Sequence, residues 1–111
     1  MRFKILFPTG YQIKDIYDDN IDINIVTSNQ DVFFGTLFTL PNINKLSKSD
    51  GHAYFWATDM VILRDLNKST IKEAISQIIN DHYLSIIFSK IGTIKSILNS
   101  DQSFEDIKDC V

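Results

Sequence analysis

Apolar and polar residues alternate most cleanly along Ile21-Asp22-Ile23-Asn24-Ile25. A period of two is the pattern of a half-buried strand. The polar turn Ser28-Asn29-Gln30-Asp31 follows, and Val32–Leu40 returns as a second strand rich in Phe and β-branched residues. The pair predicts an antiparallel hairpin. Ahead of it, Arg2–Phe7 is apolar enough for an inner strand and is punctuated by Pro8-Thr9-Gly10. Tyr11–Tyr17 fits neither period. Beyond the hairpin, Pro41 suits the first turn of a short helix because its φ is already helical. Ile43 and Leu46 would face inward there, with Lys48-Ser49-Asp50-Gly51 as the loop that follows. Ala53–Ala57 and Met60–Arg64 read as two further strands, broken near Thr58-Asp59.

Helical spacing takes over after Leu66. Ile71, Ala74, Ile75, Ile78 and Ile79 form one apolar face. Thr70, with Glu73 three residues on, has the form of a capping box, and Asn80-Asp81 interrupts the run. Leu84, Ile87, Phe88 and Ile91 keep helical spacing with Gly92 as a stop, although Ile86–Phe88 also suits a strand. Ser103 and Asp106 would cap a short last helix carrying Phe104 and Ile107. Strands therefore come mostly first and helices last, without βαβ alternation. The expected fold is α+β: an antiparallel sheet of about four to five strands packed against two or more helices in the C-terminal half. With 111 residues, one domain over the whole chain is the natural count.

Composition fits a globular fold, with 44% hydrophobic and 23% charged residues. The single cysteine, Cys110, has no partner for an intramolecular disulfide, which fits a reducing compartment and a cytoplasmic location. In MRFKILFPTG the apolar part is too short for a signal peptide, and Pro8 interrupts it. No stretch approaches the roughly 18 uninterrupted apolar residues of a transmembrane helix, so no membrane partner is expected.

The net charge of −3 argues against nucleic acid as a partner. Acid is unevenly spread: five Asp stand against one Lys from Lys14 to Asp31. An acidic patch attracts basic partners, or simply keeps a surface soluble.

Motifs for chemistry are absent. Zinc takes about four ligands, and His52, His82 and Cys110 are far apart in sequence. The run Asp15–Asp22 lacks the alternating acids, central Gly and final Glu of a calcium loop. The four glycines, Gly10, Gly35, Gly51 and Gly92, are too dispersed for a phosphate-binding loop. No Gly-x-Ser-x-Gly occurs. Catalytic, cofactor and metal residues are therefore none. Asp59 stands out as an acid in an apolar run beside Tyr54, Phe55 and Trp56. It would have a perturbed acidity in a pocket or hydrogen-bond backbone in a turn. The rings lack the neighbouring Arg and Lys that stack on single-stranded bases. Tyr54 and Trp56 share one side of their segment and Phe55 takes the other, so either both sheet faces are covered or one set is exposed. Exposed rings suit a protein interface or a homo-oligomer.

The segments Phe33–Ile43 and Tyr54–Leu63, with the helix after Leu66, resemble the small immunity proteins of bacterial toxin systems, including contact-dependent growth inhibition. The resemblance covers roughly residues 21 to 91. It implies a cytoplasmic protein that is not an enzyme and that binds one cognate toxin tightly, blocking its active site or substrate path. It assigns no individual residue. A basic toxin would complement an acidic partner, and on that ground the candidate contacts are Asp15, Asp18, Asp19 and Asp22, with Tyr17, Trp56 and Asp59. The alternative is a small enzyme or ligand-binding domain, which needs a concave pocket with converging polar groups such as Asp59 or His82.

Overall fold

In a computed structural model, which describes residues 1–98 and 101–111, the chain forms five strands: β1 (Phe3–Leu6), β2 (Asn20–Thr27), β3 (Asp31–Phe38), β4 (Met60–Ile62) and β5 (Ser89–Thr93). The helices are α1 (Leu40–Asp50), α2 (Lys68–Asn80), α3 (Leu84–Ile87) and α4 (Ile94–Ile97), and Phe104–Asp106 makes a single 3-10 turn. The fold is α+β.

β2 and β3 form the expected antiparallel hairpin, with Ile21, Ile23 and Ile25 opposite Leu37, Gly35 and Phe33. The three-residue loop closes through the Gln30 N–H donating to the Thr27 carbonyl, with Gln30 at φ 70. Three-residue hairpin loops are commonly a type I turn followed by one residue in the left-handed region, the place Gln30 takes. β1 joins β2 antiparallel, with Ile5 opposite Ile25. The sheet is mixed, because β4 runs parallel to β3 over Thr36–Phe38 while β5 runs antiparallel to β3 over Asp31–Phe34. β4 and β5 thus lie end to end along the same side of β3.

Both faces of the sheet are covered. On one, Ile5, Ile21, Ile23, Ile25, Phe33 and Leu37 pack with Ile71 and Ile75 of α2, Leu84 of α3, and Phe88. On the other, Val26 and Val32 pack with Ile94 of α4 and with Phe104 and Ile107. The C-terminal segment also lies along β1: Lys4 Nζ donates to the carbonyls of Phe104 (2.7 Å) and Ile107 (2.6 Å), and Cys110 N–H donates to the Ile5 carbonyl.

Three local expectations give way to tertiary contacts. Ala53–Ala57 is not a strand but part of the connection between α1 and β4. Thr70 is not the N-cap of α2; Asn67 is, and Thr70 is buried in the first turn. There its hydroxyl hydrogen-bonds the Asp65 carboxylate, the main reason that Asp65 is held below the usual carboxylate range. Residues 84–91 do not form one helix. The chain turns from α3 into β5 at Phe88, whose buried ring fills the space left by the missing side chain of Gly35. Ser103 and Asp106 do cap the last turn as the sequence predicts, although that turn is 3-10 rather than α.

Candidate functional site

The connection from β3 to β4 carries the most exposed aromatic surface. Pro41 starts α1 and Gly51 ends it at φ 68, a left-handed cap that glycine adopts without penalty. The chain then returns along His52–Asp59. Phe55 anchors this loop by setting its ring edge-on to Phe38, with centroids 5.3 Å apart and planes at 78°. Its neighbours are left outside: Tyr54 is 66% and Trp56 68% exposed. The His52 ring stacks on Tyr54 at 5.8 Å. The parity noted in the sequence is kept, but it belongs to a pinned loop rather than to a sheet face.

The acidic segment lies at the start of α1. Asp15 is exposed, and its carboxylate accepts from the Tyr17 N–H at 2.9 Å. Tyr17 is exposed as well. Asp18 makes an ion pair with Lys45 of α1 at 2.5 Å, and that hydrogen bond raises the Lys45 pKa. Asp19 is buried. Its carboxylate accepts from the Tyr11 hydroxyl (2.7 Å) and from the N–H groups of Lys14 (3.0 Å) and Asn20 (2.9 Å). Burial by itself would raise the Asp19 pKa, but these hydrogen bonds together hold it below the usual range. Asp22 is half-buried and accepts from the Thr36 hydroxyl at 3.4 Å. Of the four carboxylates, Asp15 is the one turned outward without a cationic partner among the described residues. Asp19 knits the loop together, and Asp18 ties it to α1.

α1 therefore links the two features. Lys45 holds the acidic turn, and Gly51 opens the aromatic loop. Asp59 stands apart from both. At φ 51 its carbonyl accepts from Thr36 N–H (3.0 Å) and its carboxylate from the Ser89 hydroxyl (2.9 Å). It joins β3, β4 and β5, the turn role open to an aspartate that tolerates the left-handed region. Tyr54, His52 and Lys45 were not among the candidates. Only Tyr54 had a signal in the sequence, its shared parity with Trp56.

A cleft of about 510 Å³ lies between the Phe7–Ile16 segment and the start of α2, lined by Phe7, Tyr11, Ile13, Ile16, Leu66 and Lys68. Neither Asp59 nor His82 reaches it. His82 lines a smaller one of about 310 Å³ with Asn29, Asp31 and Ser85. Among the described residues no three His, Cys, Asp or Glu side chains are grouped to hold a metal ion, and no helix is long and apolar enough to cross a membrane. No protein-family model, no curated protein and no solved structure matches the chain.

Proposed function

We propose that the chain is an immunity-type binding protein, which neutralises a cognate toxin in the cytoplasm by tight protein–protein contact and does no chemistry of its own. The observation that carries this reading is the loop that packs half-buried Phe55 edge-on against Phe38 and presents Tyr54 and Trp56 to solvent. Large rings held out on a fixed backbone lose little entropy on binding, and Trp and Tyr are the commonest anchors of interfaces. Asp15 and Tyr17, on the turn that α1 ties to the same arm, suit a basic partner. Asp19 and Asp59 contribute by holding the loops, and Asp22 by its contact across β2 and β3, rather than by touching the partner.

The test is capture from the source cells with the full chain as bait, at increasing salt. One stoichiometric basic protein is expected, retained by the native chain and lost by Trp56→Ser. Absence of any stoichiometric partner, or equal retention by the variant, contradicts the proposal. The second reading, a small-ligand site, draws on the 510 Å³ cleft, which falls within the size range of ligand pockets. A shift in melting temperature with a small apolar compound, abolished by Ile13→Trp, would favour it.

A further inference from the structure

The 510 Å³ cleft beside α2 has walls that the chain itself holds in place. The segment from Phe7 to Ile16 belongs to no helix or strand, yet it is pinned along its length. Gly10 N–H donates to the Phe7 carbonyl (3.2 Å), and Leu66 N–H donates to the Ile16 carbonyl (2.7 Å). Between them, the Tyr11 hydroxyl (2.7 Å) and the Lys14 N–H (3.0 Å) donate to the buried Asp19 carboxylate. Behind this segment, Ile21 and Leu66 are sealed into the core, while Phe7, Ile13 and Ile16 line the cleft half-buried. A single apolar residue on a surface is ordinary. Several around one preformed concavity, with a few polar groups, have the form of a small-molecule site.

The charge of the lining is what selects the ligand. Among the described residues no acid lines the cleft, and Lys68 is its one charged residue, in a protein whose net charge is −3. Lys68 is exposed and has no ion pair among the described residues. The acid nearest to it in sequence, Asp65, is buried outside the lining and already answered, by the Asn67 N–H at 2.9 Å and by Arg64 at 3.6 Å. Lys68 also stands in the first turn of α2, which carries no acid and no side-chain cap, so the helix dipole adds to its charge. The Tyr11 hydroxyl is committed to Asp19, which leaves the exposed Gln12 amide as the further polar side chain at the rim.

We propose that this cleft binds a small amphipathic acid, with its apolar body against Phe7, Ile13 and Ile16 and its carboxylate toward Lys68. The proposal rests on the small-ligand reading of the cleft and names the ligand class. A neutral apolar molecule would gain the same burial but would leave Lys68 unused. An amphipathic cation would meet no carboxylate in the lining and would be repelled by the lysine. The ligand is thus opposite in charge to the basic partner suited to Asp15 and Tyr17, and the two surfaces can be tested apart.

Amide NMR titration of the full chain with 1-naphthaleneacetate, and in parallel with its neutral amide, tests the proposal. The acid is expected to give saturable shifts at the Ile13, Ile16 and Lys68 amides, with a Kd of about 0.1–1 mM for a ligand of this size. The neutral amide should bind about two- to fivefold more weakly, the ratio that one exposed ion pair supports. Lys68→Gln should erase that difference and leave binding of the neutral amide unchanged, while Ile13→Trp should weaken both ligands. Lys68 is exposed, so the spectrum of the free Lys68→Gln variant should match that of the native chain away from α2. Equal affinity for acid and amide, or a preference for the acid that survives Lys68→Gln, overturns the proposal and leaves the cleft as a site for neutral apolar ligands. No shift at the cleft with either compound overturns the proposal and the small-ligand reading together.

Discussion

Gly35→Ala should destabilise the fold, although alanine ordinarily suits a strand better than glycine. Gly35 sits in the middle of β3, opposite Ile23. A Cβ there would lie 2.6 Å from Cε1 and 2.7 Å from Cδ1 of Phe88. The ring is 1% exposed, so it has little free space to move into. Overpacking of this kind costs about 1–3 kcal/mol, which outweighs the roughly 0.5–1 kcal/mol of backbone entropy that the substitution recovers. For a chain of this length the net cost, about 1–2 kcal/mol, corresponds to a fall in melting temperature of about 4–8 °C. Urea unfolding followed by far-ultraviolet circular dichroism is the suitable assay, because the only tryptophan, Trp56, is already exposed in the folded state and is a poor reporter. The decisive comparison is with Phe88→Leu, which opens space at the same point. In that background Gly35→Ala should cost at least about 1 kcal/mol less than in the native chain, the coupling expected of side chains in contact. Additive effects, or a Gly35→Ala variant as stable as the native chain, would refute the role given to this pair in turning residues 84–91 from helix to strand.

Two further substitutions probe the loops and the C-terminal segment. Asp19 has a depressed pKa when folded, so its share of stability is complete above the ordinary carboxylate value of about 3.9 and is lost as the pH falls through the lower folded value. Asp19→Asn should cost about 1–3 kcal/mol at neutral pH and flatten the acid limb of a stability-versus-pH profile; an unchanged acid limb would contradict the assignment. Lys4→Met removes three hydrogen bonds to the C-terminal segment, to the carbonyls of Phe104, Glu105 and Ile107, and an ammonium 4.6 Å from the Phe104 ring centroid. It should cost about 1–2 kcal/mol and speed hydrogen exchange at the Cys110 amide, and unaltered exchange there would count against the clamp.

The parts of the fold set by periodicity were legible in the sequence. Ile21, Ile23 and Ile25 announced β2, and Ile71, Ala74, Ile75, Ile78 and Ile79 announced the inner face of α2. What could not be read depended on residues distant in the chain. Thr70 and Glu73 have capping-box spacing, yet Asp65 takes the threonine hydroxyl and Arg64 lies 3.6 Å from the glutamate. Ala53–Ala57 has strand-like composition, but the side of β3 is already occupied by β4 and β5. Residues 84–91 carry helical spacing, but Phe88 is drawn to the space beside Gly35. In the candidate surface, the outward pair Tyr54 and Trp56 could be read from parity. The division of the acids could not, because Asp18, Asp19 and Asp22 find their partners in Lys45, Tyr11 and Thr36.

A calorimetric titration of the purified partner, once captured, against the native chain and against the Tyr54→Ser plus Trp56→Ser variant tests the central claim most directly. Two anchor residues each contributing about 2 kcal/mol or more predict an affinity loss of at least about 700-fold. The stability of the free variant should stay within about 0.5 kcal/mol of native, as for other exposed positions. Binding that survives the double substitution unchanged would contradict the assignment of the aromatic loop as the recognition surface.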